Sequence, residues 1–162
     1  MRLNNMAKEK QYWLMKSEPH EYSIDDLKRD KKSGWFGVRN YQARNYMRDA
    51  MQVGDRILFY HSSVKEPAVV GIGKVASKSY PDKTQFEKSG KYFEKRATKE
   101  KPVWFLVDIS YVKKFINPVS LSSMRADKKL KDMILLKRGM RLSVQPVAEK
   151  EFLHIESLGT KK

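Results

Sequence analysis

Cysteine is missing from this 162-residue chain. That removes disulfides and thiolate metal sites and leaves the redox compartment open. No apolar run approaches the roughly 18 residues needed to span a bilayer, and the opening stretch MRLNNMAKEKQ lacks the apolar centre of a secretory signal. The three histidines, His20, His61 and His154, stand far apart and outside any HExxH pattern, so zinc would have to rely on carboxylates. There is no GxxxxGK[ST] phosphate loop, and Gly71-Ile72-Gly73 lacks the third glycine and following helix of a dinucleotide fingerprint. Ser17 and Ser62 are the hydroxyls to consider beside His61, yet neither sits in a GxSxG elbow. Glu18 and Asp82 are acid–base candidates that nothing in the sequence brings together. The expectation is therefore no catalytic residue, no metal and no cofactor, in a soluble protein of the cytoplasm, or of the nucleus if the source is eukaryotic.

Acidic residues are also scarce: 34 Lys and Arg face 19 Asp and Glu, for a formal net charge of +15. The surplus is uneven. Residues 113–141 carry nine Lys or Arg against only Asp127 and Asp132. Such an excess favours a polyanion, because every neutralised phosphate releases condensed counterions. Nucleic acid is the expected partner, with no membrane association. Arg39, Arg44, Arg48, Lys128, Lys129, Lys131 and Arg141 are the candidate phosphate contacts.

The length suits one domain with a real core. We expect a flexible tail over residues 1–11, a single domain over 12–158 and a short tail over 159–162. Tyr12–Ser17 alternates as a first strand, with Trp13, Met15 and Ser17 on one face and Tyr12, Leu14 and Lys16 on the other. Ser23 caps a helix whose first turn carries Asp25 and Asp26 and which ends at Gly34. Arg56–His61 and Ala68–Ser77 form a hairpin, and the two glycines of the latter mark a bend or a close backbone approach. Residues 81–102 read as a long loop with Phe86, Tyr92 and Phe93 as anchors. Val103–Val112 is a fourth strand, Pro118 breaks the chain, and basic helices follow over 121–136. Met140–Val147 is a fifth strand and Ala148–Leu158 a closing helix. Five strands with helices at the corners and no βαβ repetition define an α+β fold, a small mixed barrel.

The chemistry centres on Trp35–Met51. Ala43, Tyr46, Met47, Ala50 and Met51 share one helical face, Asn40 is placed to cap that helix, and Trp35 stands exposed on the loop before it. An aromatic plate beside polar and cationic groups can grip a flat heterocycle. Tyr41, Tyr60 and Tyr80 also lie at strand ends and loops, where they serve either core or pocket, while Trp13 and Trp104 read as core. Ser17, Asn40, His61, Ser143 and Gln145 supply hydrogen-bonding groups that strand parity can aim at one mouth.

In order along the chain, YWLMKSEP, SIDDL, W-x-GVRNYQARNYMR, GD-x-x-LFYHS, EPAVVGI, YPD-x-TQF, W-x-x-VD and RLSVQPV make a pattern that resembles the EVE domain from Tyr12 to Leu158. The resemblance implies a PUA-like fold, a curved or closed mixed β-barrel of about five to six strands with surrounding helices, related to the YTH and ASCH domains. It implies a non-catalytic module that holds a modified, methylated or hydroxymethylated base of DNA or RNA in an aromatic pocket. It also implies pocket roles for Lys16 and Ser17 on the first strand and Trp35 after the first helix, with Asn40, Tyr41, Tyr60, His61, Ser143 and Gln145 as further members; we add Tyr80. Two alternatives stay open: an enzyme acting on nucleotides or nucleic acid, and a small-molecule sensor. The segment 88–101 is more basic than the family pattern, and the basic tail of nuclear relatives is missing.

Overall fold

In the computed structural model, residues 9–162 are described. The expected N-terminal tail falls largely outside them. Gln11 is already fixed, its side-chain amide donating to the Ala50 carbonyl at 2.7 Å and to Asp55 at 3.2 Å.

Six strands form one mixed, curled sheet, a half-barrel, in the order β2-β7-β4-β3-β1-β8. They are β1 (Tyr12–Ser17), β2 (Lys32–Gly34), β3 (Arg56–His61), β4 (Ala68–Val75), β7 (Asp108–Ser120) and β8 (Val144–Val147). A small ribbon of β5 (Tyr80–Pro81) and β6 (Phe105–Leu106) stands apart. The neighbours β1 and β3 run parallel with Ser17 opposite His61, and all other pairs are antiparallel. Slips in register at Phe59/Tyr60, Val69/Gly71 and Ile72/Gly73 bend the sheet, as bulges do. At Gly71 a Cβ would lie 2.5 Å from the Lys113 carbonyl and 2.9 Å from Ile24. This is the close approach that the glycines of β4 foretell.

Both faces of the sheet are buried, which is why β1 and β3 are apolar at almost every position. Trp13, Met15, Ile57, Phe59 and Val144 pack under helices α1 (Ile24–Asp30) and α2 (Tyr41–Asn45) together with Ile24, Leu27, Ala43, Met47 and Trp35. Leu14, Leu58, Tyr60, Ile72 and Val147 face the other way, against α3 (Leu121–Ala126), the short turns after it and α4 (Glu149–Thr160). Each large apolar side chain so buried contributes about 1.5–3 kcal/mol. Ser23 caps α1 in a full capping box with Asp26, and Asn40 caps α2 by accepting from the Ala43 N–H at 2.9 Å. Helix α2 continues as one π turn, Tyr46–Ala50, closed by the Met51 N–H on the Tyr46 carbonyl.

Four expectations need correction. Strand β2 lies where only a helix end was read. β7 runs through Pro118 to Ser120 instead of stopping at Val112, because Pro118 falls in the irregular stretch where β4 advances only from Val69 to Gly71 while β7 spans Lys114 to Val119, and proline is tolerated at such bulges. β8 starts at Val144, not Met140. Helix α4 continues to Thr160, past the expected tail boundary, and Asn117 donates to the Lys161 carbonyl at 2.6 Å.

Candidate functional site

A cleft of about 400 Å³ opens where the C-terminal end of β1 meets the loop between β2 and α2. Lys16, Ser17, Glu18, Glu21 and Tyr22 line one side, Ser33 to Arg39 another, and Tyr92 and Ser143 complete it. Four expected pocket residues therefore come together: Lys16, Ser17, Trp35 and Ser143. Arg39, expected on the phosphates, joins them.

Trp35 is not the exposed plate anticipated from its loop position. It is 7% exposed, its backbone N–H is tied to the Val107 carbonyl at 3.1 Å, and its ring meets Phe59 edge-on. The loop is pinned because its neighbours are: the Gly37 N–H donates to Asp82 at 2.8 Å, and Asn40 caps the next helix. Trp35 is thus a rigid inner wall. The three indoles differ in one respect. Trp13 donates its ring N–H to Asp55 at 3.0 Å and Trp104 donates to Glu94 at 3.2 Å. Trp35 has no such acceptor among the described residues. Its N–H is also not among the buried polar atoms that lack a partner, a class that holds only Ser110 Oγ there. The indole N–H is thus without a protein acceptor among the described residues and is not fully sealed from solvent.

Lys16 has no carboxylate within ion-pair range among the described residues. Its Nζ lies 5.9 Å from the Tyr60 ring centroid and makes one long contact, 3.5 Å, to the Met140 carbonyl. Burial pulls its pKa below the usual lysine range. Ser17 donates its hydroxyl to the Tyr22 carbonyl, and the Ser143 carbonyl accepts from the Lys16 N–H at 2.9 Å.

The remaining expected pocket residues lie elsewhere, each for a physical reason. Asn40 is exposed and spent on its cap. Tyr41 stacks on Trp104 at 4.9 Å beyond the cleft wall. Strand parity turns Tyr60 to the opposite face of the sheet, into the α3–α4 core, where it is 3% exposed. His61 Nε2 accepts from the Ile24 N–H at 3.1 Å, so it serves the start of α1 and no serine. Tyr80 donates to Asp108. Gln145 is buried opposite Leu14 and donates to the Leu142 carbonyl at 2.7 Å.

The cations divide in two. Arg39 reaches Asp82 at 3.2 Å and also donates to the Val38 and Tyr92 carbonyls and to Thr84. Arg44 donates to the Val103 carbonyl and lies over Tyr41, and Arg48 pairs with Asp49. Arg39 and Arg44 are committed to the fold and Arg48 is neutralised at the surface by its exposed neighbour Asp49, which corrects their reading as free phosphate contacts. Lys128, Lys129, Lys131 and Arg141 are exposed, and none forms an ion pair among the described residues.

Sequence reasoning missed Tyr22, Ser33, Phe36, Gly37, Val38 and the two mouth carboxylates as cleft residues, and it left Tyr92 as an anchor only. Gly37 was the available signal for Tyr92. With φ at +85° and a Cβ position only 2.6 Å from the Tyr92 ring, it must be glycine for that ring to close the wall. Asp82, considered as an acid–base group, is buried and bonded on both oxygens. Glu18, His20 and Glu21 bring ligand atoms within 4.8 Å of one another at the mouth. They are exposed, with His20 against Glu18 and Glu21 paired to Lys91.

The EVE domain family profile matches residues 11–158, and the chain belongs to that family. Human thymocyte nuclear protein 1 is 41% identical over 93% of this chain and 75% of its own length. Among solved structures, a hypothetical protein from Leishmania major superposes with a TM-score of 0.89 at 46% identity, covering 95% of this chain and 97% of that one. Human THYN1 in complex with 5-methylcytosine-containing DNA superposes with a TM-score of 0.86 at 37% identity, covering 94% and 99%. Among the described residues no helix is long and apolar enough to cross a membrane.

Proposed function

We propose that this chain is a non-catalytic reader of a modified base in DNA, taking a 5-methylcytosine-like base into the cleft against Trp35. The observation that carries the reading is the free indole N–H of a rigidly held tryptophan, in a cleft within the size range of small-ligand sites. Its support from kinship is the DNA complex of human THYN1. A flipped base leaves a stack at a cost of a few kcal/mol. One aromatic contact returns about 1–3 kcal/mol, and polar groups at the cleft edge must supply the rest. The surplus positive charge adds affinity that carries no sequence information.

The test is a binding competition among oligonucleotides that differ in one base: cytosine, 5-methylcytosine and 5-hydroxymethylcytosine in DNA, and methylated adenine in RNA. A preference for a modified cytosine, lost on replacing Trp35, is the expected result. Equal binding of all probes, or release of an altered base on incubation, would overturn the reading.

A further inference from the structure

The cleft has two basic flanks, and only one has charge to spare. On the α2 side, Arg39, Arg44 and Arg48 are held by Asp82, the Val103 carbonyl and Asp49. On the other side, the turn between β3 and β4 is tied to the cleft mouth: the Ser62 N–H donates to the Ser17 carbonyl and the Ser63 hydroxyl to Glu18, both at 2.9 Å. Behind this turn lies a second groove, of about 440 Å³, between Lys65–Pro67 and the start of α3, with Ser122 and Arg125 in its wall. Lys65 and Arg125 are exposed, with no ion pair among the described residues, against the single carboxylate of Glu66. Tyr60 is buried on the α3–α4 side of the sheet. Lys16 Nζ approaches its ring, and the Arg125 charge acts on its hydroxyl, opposing the upward pull of burial on that group.

The geometry points to this groove as the seat of a backbone phosphate next to the flipped base, so that the nucleic-acid strand leaves the cleft past Lys16 toward Arg125 and Lys65 and not along α2. The inference rests on the cleft being the base site. A base drawn out of its stack brings its flanking phosphates to the mouth of the pocket, where a groove one turn away is within reach. A phosphodiester is singly negative and accepts several hydrogen bonds. Two unpaired cations and the Ser122 hydroxyl match that demand.

The experiment measures duplex binding between 50 and 200 mM NaCl, with and without one 5-methylcytosine, for the parent, Lys65→Gln/Arg125→Gln and Arg48→Gln. Each lost phosphate contact lowers the slope of log K against log salt by about 0.9. The double variant, which empties the one phosphate seat, should then lose about 0.9 in slope, and its affinity should fall roughly threefold less than the parent's across that range. Its preference for the methylated probe and its melting temperature should match the parent, since neither side chain makes a bond that folding needs. Arg48→Gln should keep the parent slope. A parent-like slope in the double variant, or an equal loss in Arg48→Gln, would overturn the assignment. Failure of the cleft reading looks different: no preference for the methylated probe in the parent, with the slope still falling in the double variant.

Discussion

The Trp35 indole meets the Phe59 ring edge-on, with centroids 5.4 Å apart and planes at 84°. A strand of the central sheet thus sets the orientation of the cleft wall, and Trp35 belongs to core and site at once. Trp35→Ala should cost about 3 kcal/mol of stability through the cavity it leaves, which would blur any binding result. Trp35→Phe keeps most of the packing and removes the indole N–H. It should lose much less stability yet still reduce the preference for the modified base severalfold. Denaturant unfolding alongside the competition assay separates the two effects, and unchanged selectivity in Trp35→Phe would show that the N–H is not a contact.

Lys16 places an unpaired cation in a partly buried position, a cost to the fold that ligand binding would repay. Its folded pKa is depressed by burial, so the unfolded chain binds the proton more tightly. Stability therefore rises as pH climbs from the folded toward the unfolded lysine pKa. Lys16→Met removes that cost and should raise the melting temperature by a few degrees at pH 7 while weakening DNA binding. Should melting fall and binding stay intact, Lys16 is a packing residue and no part of the site.

Much of this was legible because period-2 and capping signals are local. The alternation in YWLMKS and RILFYH defines two central strands, and Ser23 and Asn40 announce their helices. Distance across the sheet is what local patterns omit. Tyr60 and Trp35 read alike as aromatics near strand ends, but they fall in the cores on opposite faces of the sheet. Arg39 and Arg44 read as solvent-facing because their acceptors, Asp82 and the Val103 carbonyl, come from a distant segment without periodicity, residues 81–104. That segment also hides Tyr92. The resemblance pointed to the first-strand pair and the tryptophan as candidates, and the coordinates bring them to one cleft and add the wall that faces them.

Asp82 joins that distant segment to the Trp35 loop. It accepts from the Gly37 N–H at 2.8 Å, from Arg39 at 3.2 Å and from the Thr84 N–H at 2.8 Å, and it is 1% exposed. Asp82→Ala leaves a largely buried guanidinium without its counter-charge, so a loss of about 3 kcal/mol is expected in urea unfolding. A loss below about 1 kcal/mol, the range of a surface ion pair, would mean that solvent or Tyr92 takes over the role.

Gly37 and Tyr92 make the cleft wall by contact, so their substitutions should not add. Gly37→Ala puts a methyl group into the ring and strains a backbone at φ +85°, the latter worth about 1–2 kcal/mol. Combining it with Tyr92→Ala relieves the clash and leaves only the strain. The pair should therefore cost less than the two single changes together in a double-mutant cycle. Strict additivity would place the ring away from the glycine in solution.

His61 gives the fold a pH dependence of defined sign. Its Nε2 must be unprotonated to accept from the Ile24 N–H, and burial, the larger effect, holds its pKa below the ordinary 6.5, with Asp25 pulling upward and Lys114 downward. The unfolded chain therefore takes up the proton first on acidification. The contribution is complete above pH 6.5 and is lost as pH falls from there toward the depressed folded value. His61→Gln cannot titrate, and its unfolding free energy should decline less between pH 7 and pH 5 than the parent's. Every other ionisable group is common to both proteins, so the difference between the two curves isolates position 61. Parallel curves would mean that the imidazole bond to α1 contributes nothing to stability. A steeper fall in His61→Gln would mean that the ring is held protonated, which its acceptor role forbids.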